Sequence, residues 1–166
     1  MKIISRLLIA ALLLAAIPGF AQSNDWSRVG ATGILDRLSL FNNTRTGPTL
    51  KFSSISTGTI TARYPVTNTF GAGSSFTPAW TTLWATFLDN SSAGSVTATL
   101  FEVDKCTDTV TQLCQISSSD NAATQCQSCT FSSSTFDFAN NTYYVEVVLT
   151  RSATTAGEEI HALSID

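Results

Sequence analysis

The chain has 166 residues, of which 43% are hydrophobic and 13% are charged, and its formal net charge at pH 7 is −3. Ten phenylalanines and three tryptophans argue against a disordered chain, because disordered segments are poor in aromatic residues. A mildly acidic balance without a basic cluster also argues against nucleic acid as a partner and against electrostatic docking on anionic lipid.

The first 21 residues have the pattern of a secretory signal peptide. Lys2 and Arg6 form a positive region, and residues 7–17 form an apolar run of about half the length that spans a bilayer. Gly19 and Ala21 are small residues placed for cleavage after Ala21. The sequence therefore predicts export to the periplasm, the cell surface or the medium, with no membrane span after cleavage.

Residues 22–166 have the length of one domain with a sizeable core. Residues 22–48 are the least regular part, so we predict an N-terminal arm or an edge strand there, packed with the main domain over 49–166. Pro65 lies inside a strand pattern and lacks the N–H of the ladder, which predicts an edge or a bend.

After this first part, apolar and polar residues alternate with a period of two, which is typical of strands. Turn sequences rich in Gly, Asn, Asp and Ser separate runs that are rich in β-branched and aromatic residues. Strands are predicted over 33–40, 50–56, 59–66, 80–88, 95–103, 109–117, 130–138, 142–150 and 159–165. Without a long helical pattern, the sequence predicts an all-β fold, an antiparallel β-sandwich of eight or nine strands, a number that also fits a jelly roll.

All the cysteines lie between residues 106 and 129: Cys106, Cys114, Cys126 and Cys129. Only the last two have the close spacing of zinc ligands, and no helix pattern follows them to lower a redox thiol pKa. Because exported proteins meet an oxidising environment, we predict two disulfides, Cys106–Cys114 and Cys126–Cys129. If the hairpin turns at Thr107, Cys106–Cys129 with Cys114–Cys126 becomes the alternative.

Few residues offer catalytic or metal-binding chemistry. His161 is the single histidine, and no serine lies in a Gly-x-Ser-x-Gly motif. Glu102 and Glu146 lie in predicted strands and are the best carboxylate pair for glycoside chemistry. Turn aspartates offer oxygens for calcium but form no EF-hand pattern: Asp89, Asp104, Asp108 and Asp120. We therefore predict no metal site, no cofactor and no catalysis.

Aromatic residues are the best candidates for a binding surface. Residues 80–88 place apolar or aromatic side chains on both faces of a strand, with Trp80 and Trp84 on the same face. Tyr143 and Tyr144 likewise place an aromatic ring on each face of a later predicted strand. Such a strand is either buried on both sides or presents an aromatic platform that suits sugar rings or a protein partner.

Together these patterns favour an exported, non-catalytic β-sandwich that binds or assembles at the cell surface or outside the cell. One alternative is a carbohydrate-binding module that uses Trp80, Trp84 or the two tyrosines. The other is a glycoside-active enzyme that uses Glu102 and Glu146. The predicted partner is a glycan, another protein or a second copy of the chain.

Overall fold

The computed structural model describes residues 25–69, 78–132 and 135–166, so the predicted signal peptide lies outside the described residues. The described residues form eleven strands in two antiparallel sheets, which confirms the predicted β-sandwich. The strands are β1 (Trp26–Val29), β2 (Ile34–Leu35), β3 (Asn43–Thr46), β4 (Thr49–Phe52), β5 (Gly58–Val66), β6 (Thr82–Asp89), β7 (Gly94–Asp104), β8 (Val110–Ser117), β9 (Asn121–Thr130), β10 (Asn141–Arg151) and β11 (Glu158–Ile165). In the described residues no helix has the length and hydropathy needed to cross a membrane.

The first sheet has six strands in the order β3–β4–β11–β6–β9, and β1 pairs with the second half of β11. The second sheet has five strands in the order β2–β5–β10–β7–β8. Residues 25–48 thus supply short strands to both sheets. Pro65 lies beyond the point where β2 stops pairing with β5, so it needs no ladder partner on that side, as predicted.

The core lies between the two sheets and is built from the inward positions of alternating strands. In β10, Tyr143, Val145, Val147 and Leu149 are buried, while the residues between them are half-buried on the outer face. In β6 the alternation buries Leu83, Ala85 and Phe87. Burial of each large apolar side chain contributes about 1.5–3 kcal/mol, so this period of two accounts for the sandwich.

Two predicted strands differ from the structure. The first, over 33–40, is reduced to β2, followed by a 3-10 turn over Ser39–Phe41. The second, over 130–138, is wrong, because the strand is β9, which ends at Thr130. β9 is an edge strand whose mostly exposed polar residues hid its pattern. The apolar residues after it pack instead as a loop against the core.

The predicted disulfide pairings are wrong. Cys114 bonds to Cys129, and Cys106 and Cys126 are free and exposed. Cys106 lies in the β7–β8 turn, whereas Cys114 lies opposite Leu100, well down the hairpin. Cys126 and Cys129 are three residues apart in one strand, so their side chains point to opposite faces and cannot meet.

Candidate functional site

The outer face of the first sheet carries a groove of about 730 Å³. Two rows of residues cross the strands at this place, because paired residues of neighbouring strands share a face. One row is Ser27, Ser164 and Trp84, and the other is Val29, Ala162, Thr86 and Cys126. The groove therefore crosses β1, β11, β6 and β9, with Asp166 also contributing to its lining.

Trp84 is the one large aromatic side chain lining this groove, and 37% of its surface is exposed. Its indole Nε1 donates a hydrogen bond to Asp166 Oδ1 at 3.0 Å, which orients the ring. The neighbouring residues on the same face are small: Thr86, Ala162 and Ser164. An oriented aromatic ring thus stands beside a shallow floor that offers hydroxyl groups.

Cys126 places a free thiol on the same floor, opposite Thr86. The other free thiol, Cys106, lies in the β7–β8 turn of the second sheet and is absent from the groove lining. Sequence reasoning assigned Cys126 to a disulfide and so missed its place in the groove. No strand was predicted over this segment, so the opposite orientations of Cys126 and Cys129 in β9 could not be inferred from the sequence.

Trp80 lies inside the molecule and is only 4% exposed. Its ring makes edge contacts with Phe136 at 5.0 Å and Phe138 at 6.5 Å between centroids. Trp80 is therefore a core residue. Of the two tryptophans predicted for a binding surface, Trp84 is the one that is exposed.

Tyr143 is 3% exposed and packs on the same cluster, with its ring 4.7 Å from that of Phe136. Its hydroxyl lies 3.0 Å from Glu102 Oε2 and 2.8 Å from the carbonyl oxygen of Thr135, and it accepts the Asp137 N–H at 2.7 Å. Burial raises the pKa of the phenol above its usual value. Tyr143 thus anchors the loop before β10 rather than forming a surface.

Tyr144 lies on the outer face of the second sheet and is half-buried. Its ring stacks on Phe101 at 5.2 Å, and its other neighbour across the strands is Pro65. Because Trp84 lies on the other sheet, the structure does not bring Trp84 and Tyr144 together.

Glu102 and Glu146 lie on opposite faces of the second sheet. Glu102 is opposite the inward-facing Tyr143 and lies against its hydroxyl. Glu146 is on the outer face, where its Oε2 lies 2.7 Å from Arg63 Nη2. Two carboxylates so placed cannot flank one glycosidic bond, which removes the basis of the glycoside-active alternative.

The aspartates that were considered as oxygen ligands for calcium are dispersed. Asp104 Oδ1 accepts the N–H groups of Cys106 and Thr107 at 2.8 and 2.9 Å, and these bonds lower its pKa. Asp89 is buried in β6, and Asp120 is exposed in the β8–β9 connection. Across residues 25–69, 78–132 and 135–166, no three His, Cys, Asp or Glu side chains converge as metal ligands.

A group of buried charged side chains was not predicted. Glu158 of β11 and Asp89 of β6 are opposite each other and are 1% and 2% exposed. The Glu158 carboxyl packs against Gly94, where any side chain would collide with it. Nearby Arg151 is also buried, but it donates to the carbonyl oxygens of Ser53, Ser56 and Ala156. Burial raises the pKa of Glu158 to about 7.

No family model and no curated protein matches the chain. A solved structure of carbohydrate-binding modules from the β-sandwich superfamily, described for their promiscuous specificity, is similar in fold. The TM-score is 0.42 at 12% identity, and the alignment covers 87% of this chain and 56% of that one. The chain thus spans about half the length of the structure it resembles, and the likeness concerns the fold alone.

Proposed function

We propose that the protein is an exported, non-catalytic binding module that holds a glycan in the groove around Trp84. The observation that carries this proposal is the oriented, partly exposed Trp84 ring beside a floor of small side chains. A sugar ring has an apolar C–H face and a rim of hydroxyls. The indole of Trp84 can stack on the apolar face of the sugar, while Ser27, Ser164 and Asp166 offer hydrogen-bond partners to its hydroxyls.

The size of the groove supports the same ligand class. Its volume of about 730 Å³ falls within the 300–1,000 Å³ typical of small-molecule sites. It is open along one sheet face, so a ligand keeps part of its surface in water, and we expect modest affinity. An open groove also admits a chain of sugars that continues beyond it.

The disulfide supports export, because such bonds form and persist in oxidising compartments. The N-terminal pattern of Lys2, Arg6 and the apolar run that follows supports the same route. The separation of Glu102 from Glu146 supports a binding role over glycoside hydrolysis.

The test is calorimetric titration of the secreted chain, residues 22–166, with soluble oligosaccharides of glucose, xylose, mannose and N-acetylglucosamine. We expect one of these classes to bind and Trp84→Ala to weaken that binding at least tenfold. Tyr144→Ala is the matched control, because it removes a half-buried aromatic ring from the other sheet. Binding that survives Trp84→Ala, or the absence of binding across the whole panel, would overturn the proposal.

A further inference from the structure

The floor of the groove around Trp84 is longer across the strands than along them. It consists of the two rows of side chains that cross β1, β11, β6 and β9. Neighbouring strands lie about 4.8 Å apart, so four strands give the floor a length of about 14 Å. The two rows are two residues apart on each strand, which corresponds to a width of about 7 Å.

Trp84 and Asp166 stand at one long side of this floor. Asp166 lies beside Thr82, because its N–H donates to the Thr82 carbonyl at 3.1 Å and its carbonyl accepts the Thr82 N–H at 2.9 Å. Thr82 precedes Trp84 on β6, whereas Thr86 follows it. The hydrogen bond from the indole to Asp166 therefore draws the ring away from Thr86. The ring forms a side wall over β6 and leaves the row that contains Thr86 uncovered.

Both ends of the floor lie at edge strands. In the part of the chain that the structure describes, β1 pairs with β11 alone and β9 pairs with β6 alone. The lining residues at the two ends are Val29 on β1, which is 43% exposed, and Cys126 on β9, which is also exposed. The residues that line the groove include none beyond these two strands, so a ligand chain can continue past both edges.

These dimensions fit a row of sugar rings. A pyranose ring is about as wide as the spacing between two neighbouring strands, so the floor seats about three to four consecutive rings that run across the strands. The side chains beneath them are small and keep the floor low along its length: Ser27, Ser164, Ala162 and Thr86. A compact ligand would leave most of that length uncovered.

Trp84 divides the floor unequally. It lies on β6, which has β9 on one side and both β11 and β1 on the other. A ring stacked on the indole therefore leaves room for one ring over Cys126. It leaves room for two rings on the other side, over Ser164 and then over Ser27. The Ser27 hydroxyl faces only a ligand that is long enough to reach β1.

We propose that the groove binds an internal stretch of a linear, unbranched glycan, about three to four rings long, that lies across the four strands. The inference rests on the proposed function and adds the shape of the ligand, its direction and the part of the glycan that is recognised. In this arrangement Ser27 is a specificity-determining residue, because it contacts long chains and leaves short ones untouched.

The test is calorimetric titration of residues 22–166 with linear oligosaccharides of two, three, four and six rings from the glucose, xylose, mannose and N-acetylglucosamine series. We expect the affinity to rise at least tenfold from the disaccharide to the tetrasaccharide. From the tetrasaccharide to the hexasaccharide we expect a gain of about threefold or less, because six rings offer three registers to a four-ring site. Borohydride reduction of the terminal ring should leave hexasaccharide affinity unchanged, since the bound rings are internal.

A variant at the β1 end separates long from short ligands. Ser27→Leu removes a hydroxyl and places a larger side chain on the floor, so we expect at least fivefold weaker binding of the tetrasaccharide. The affinity for the disaccharide should stay the same, because two rings anchored on Trp84 do not reach β1. Ser117→Leu is the matched control, since it makes the same change at an exposed position of the edge strand β8 in the other sheet. Both substitutions lie at exposed positions, so we expect melting temperatures within a few degrees of wild type.

An affinity that stops rising at the disaccharide, or that is lost on reduction of the terminal ring, would overturn this inference and leave glycan binding in the groove intact. A Ser27→Leu chain that binds every length as wild type does would have the same meaning. The absence of binding by every oligosaccharide would overturn this inference together with the proposed function.

Discussion

Cys114 and Cys129 join the edge strand of one sheet to the edge strand of the other. Their strands, β8 and β9, follow each other in the chain, and the short connection between them crosses from the second sheet to the first. The Cα atoms are 5.9 Å apart, within the usual range for a disulfide. The bond therefore adds a covalent link between the two sheets on this side of the sandwich.

Replacing both bonded cysteines by serine should lower the free energy of unfolding by about 3 kcal/mol, the loop-closure value for a 15-residue separation. Urea denaturation measures this change directly. The matched control replaces Cys106 and Cys126, which are free and exposed, and should change stability little. Equal losses in the two double variants would show that the free cysteines are bonded in the secreted protein.

The cysteines show where sequence reasoning stops. Export and strand context correctly favoured a disulfide over zinc, because those arguments depend on compartment and spacing. The pairing depended on the position of the β7–β8 turn and on the crossing of the chain between sheets. Neither is encoded in spacing, since residues far apart in sequence meet only after both sheets have formed.

The buried Glu158 carboxyl should make stability depend on pH. The pKa of Glu158 is about 7 in the folded chain against a usual value of 4.5, because burial disfavours the carboxylate. Asp89 opposite it raises the pKa further, and Arg151 lowers it. Between pH 4.5 and 7, the folded chain therefore holds a proton on Glu158 that the unfolded chain has lost. Because the folded state binds more protons in this range, its stability falls as pH rises.

We therefore expect the free energy of unfolding to decrease from about pH 4.5 to about pH 7, by an amount on the order of 1–3 kcal/mol. Glu158→Gln should flatten this slope and raise stability above pH 7, as measured by urea denaturation over a pH series. Glu159→Gln is the control, because Glu159 is the next residue in the chain but its carboxylate lies in a partly exposed ion pair with Lys51. A slope that is unchanged in Glu158→Gln would assign the pH dependence to other groups.

Truncation of the two tryptophans of residues 80–88 should destabilise the fold to very different extents. Trp80→Ala opens a cavity in the cluster with Phe136 and Phe138, so we expect a loss of about 3–5 kcal/mol in urea denaturation. Trp84→Ala removes a partly exposed ring and one exposed hydrogen bond, so we expect a loss of about 1 kcal/mol or less. Similar losses in both variants would mean that Trp84 is also part of the packed structure.

The same pair explains how much of the site could be predicted. Alternation placed Trp80 and Trp84 on one face, as expected of an ideal strand. In the structure β6 begins only at Thr82, so the alternation does not extend to Trp80, which turns into the core. Long regular strands such as β7 and β10 were predicted well because their burial follows the period of two. The exposed polar β9 carried no such signal.

The two free thiols offer a direct map of the groove. Cys126 lies on the groove floor opposite Thr86, while Cys106 lies in a turn of the other sheet. A glycan bound beside Trp84 should cover Cys126 and leave Cys106 open. We expect the bound oligosaccharide to slow alkylation of Cys126 by a maleimide in proportion to site occupancy, with no effect on Cys106, as followed by peptide mass spectrometry.

The reverse experiment applies to the same residue. Cys126 that already carries a bulky maleimide should block the groove, so the labelled protein should lose oligosaccharide affinity at least tenfold. A Cys126→Ser chain labelled at Cys106 controls for the reagent and should bind as wild type does. Equal protection of both thiols would point to a global change in the protein, and unimpaired binding by the Cys126-labelled chain would move the ligand away from this groove.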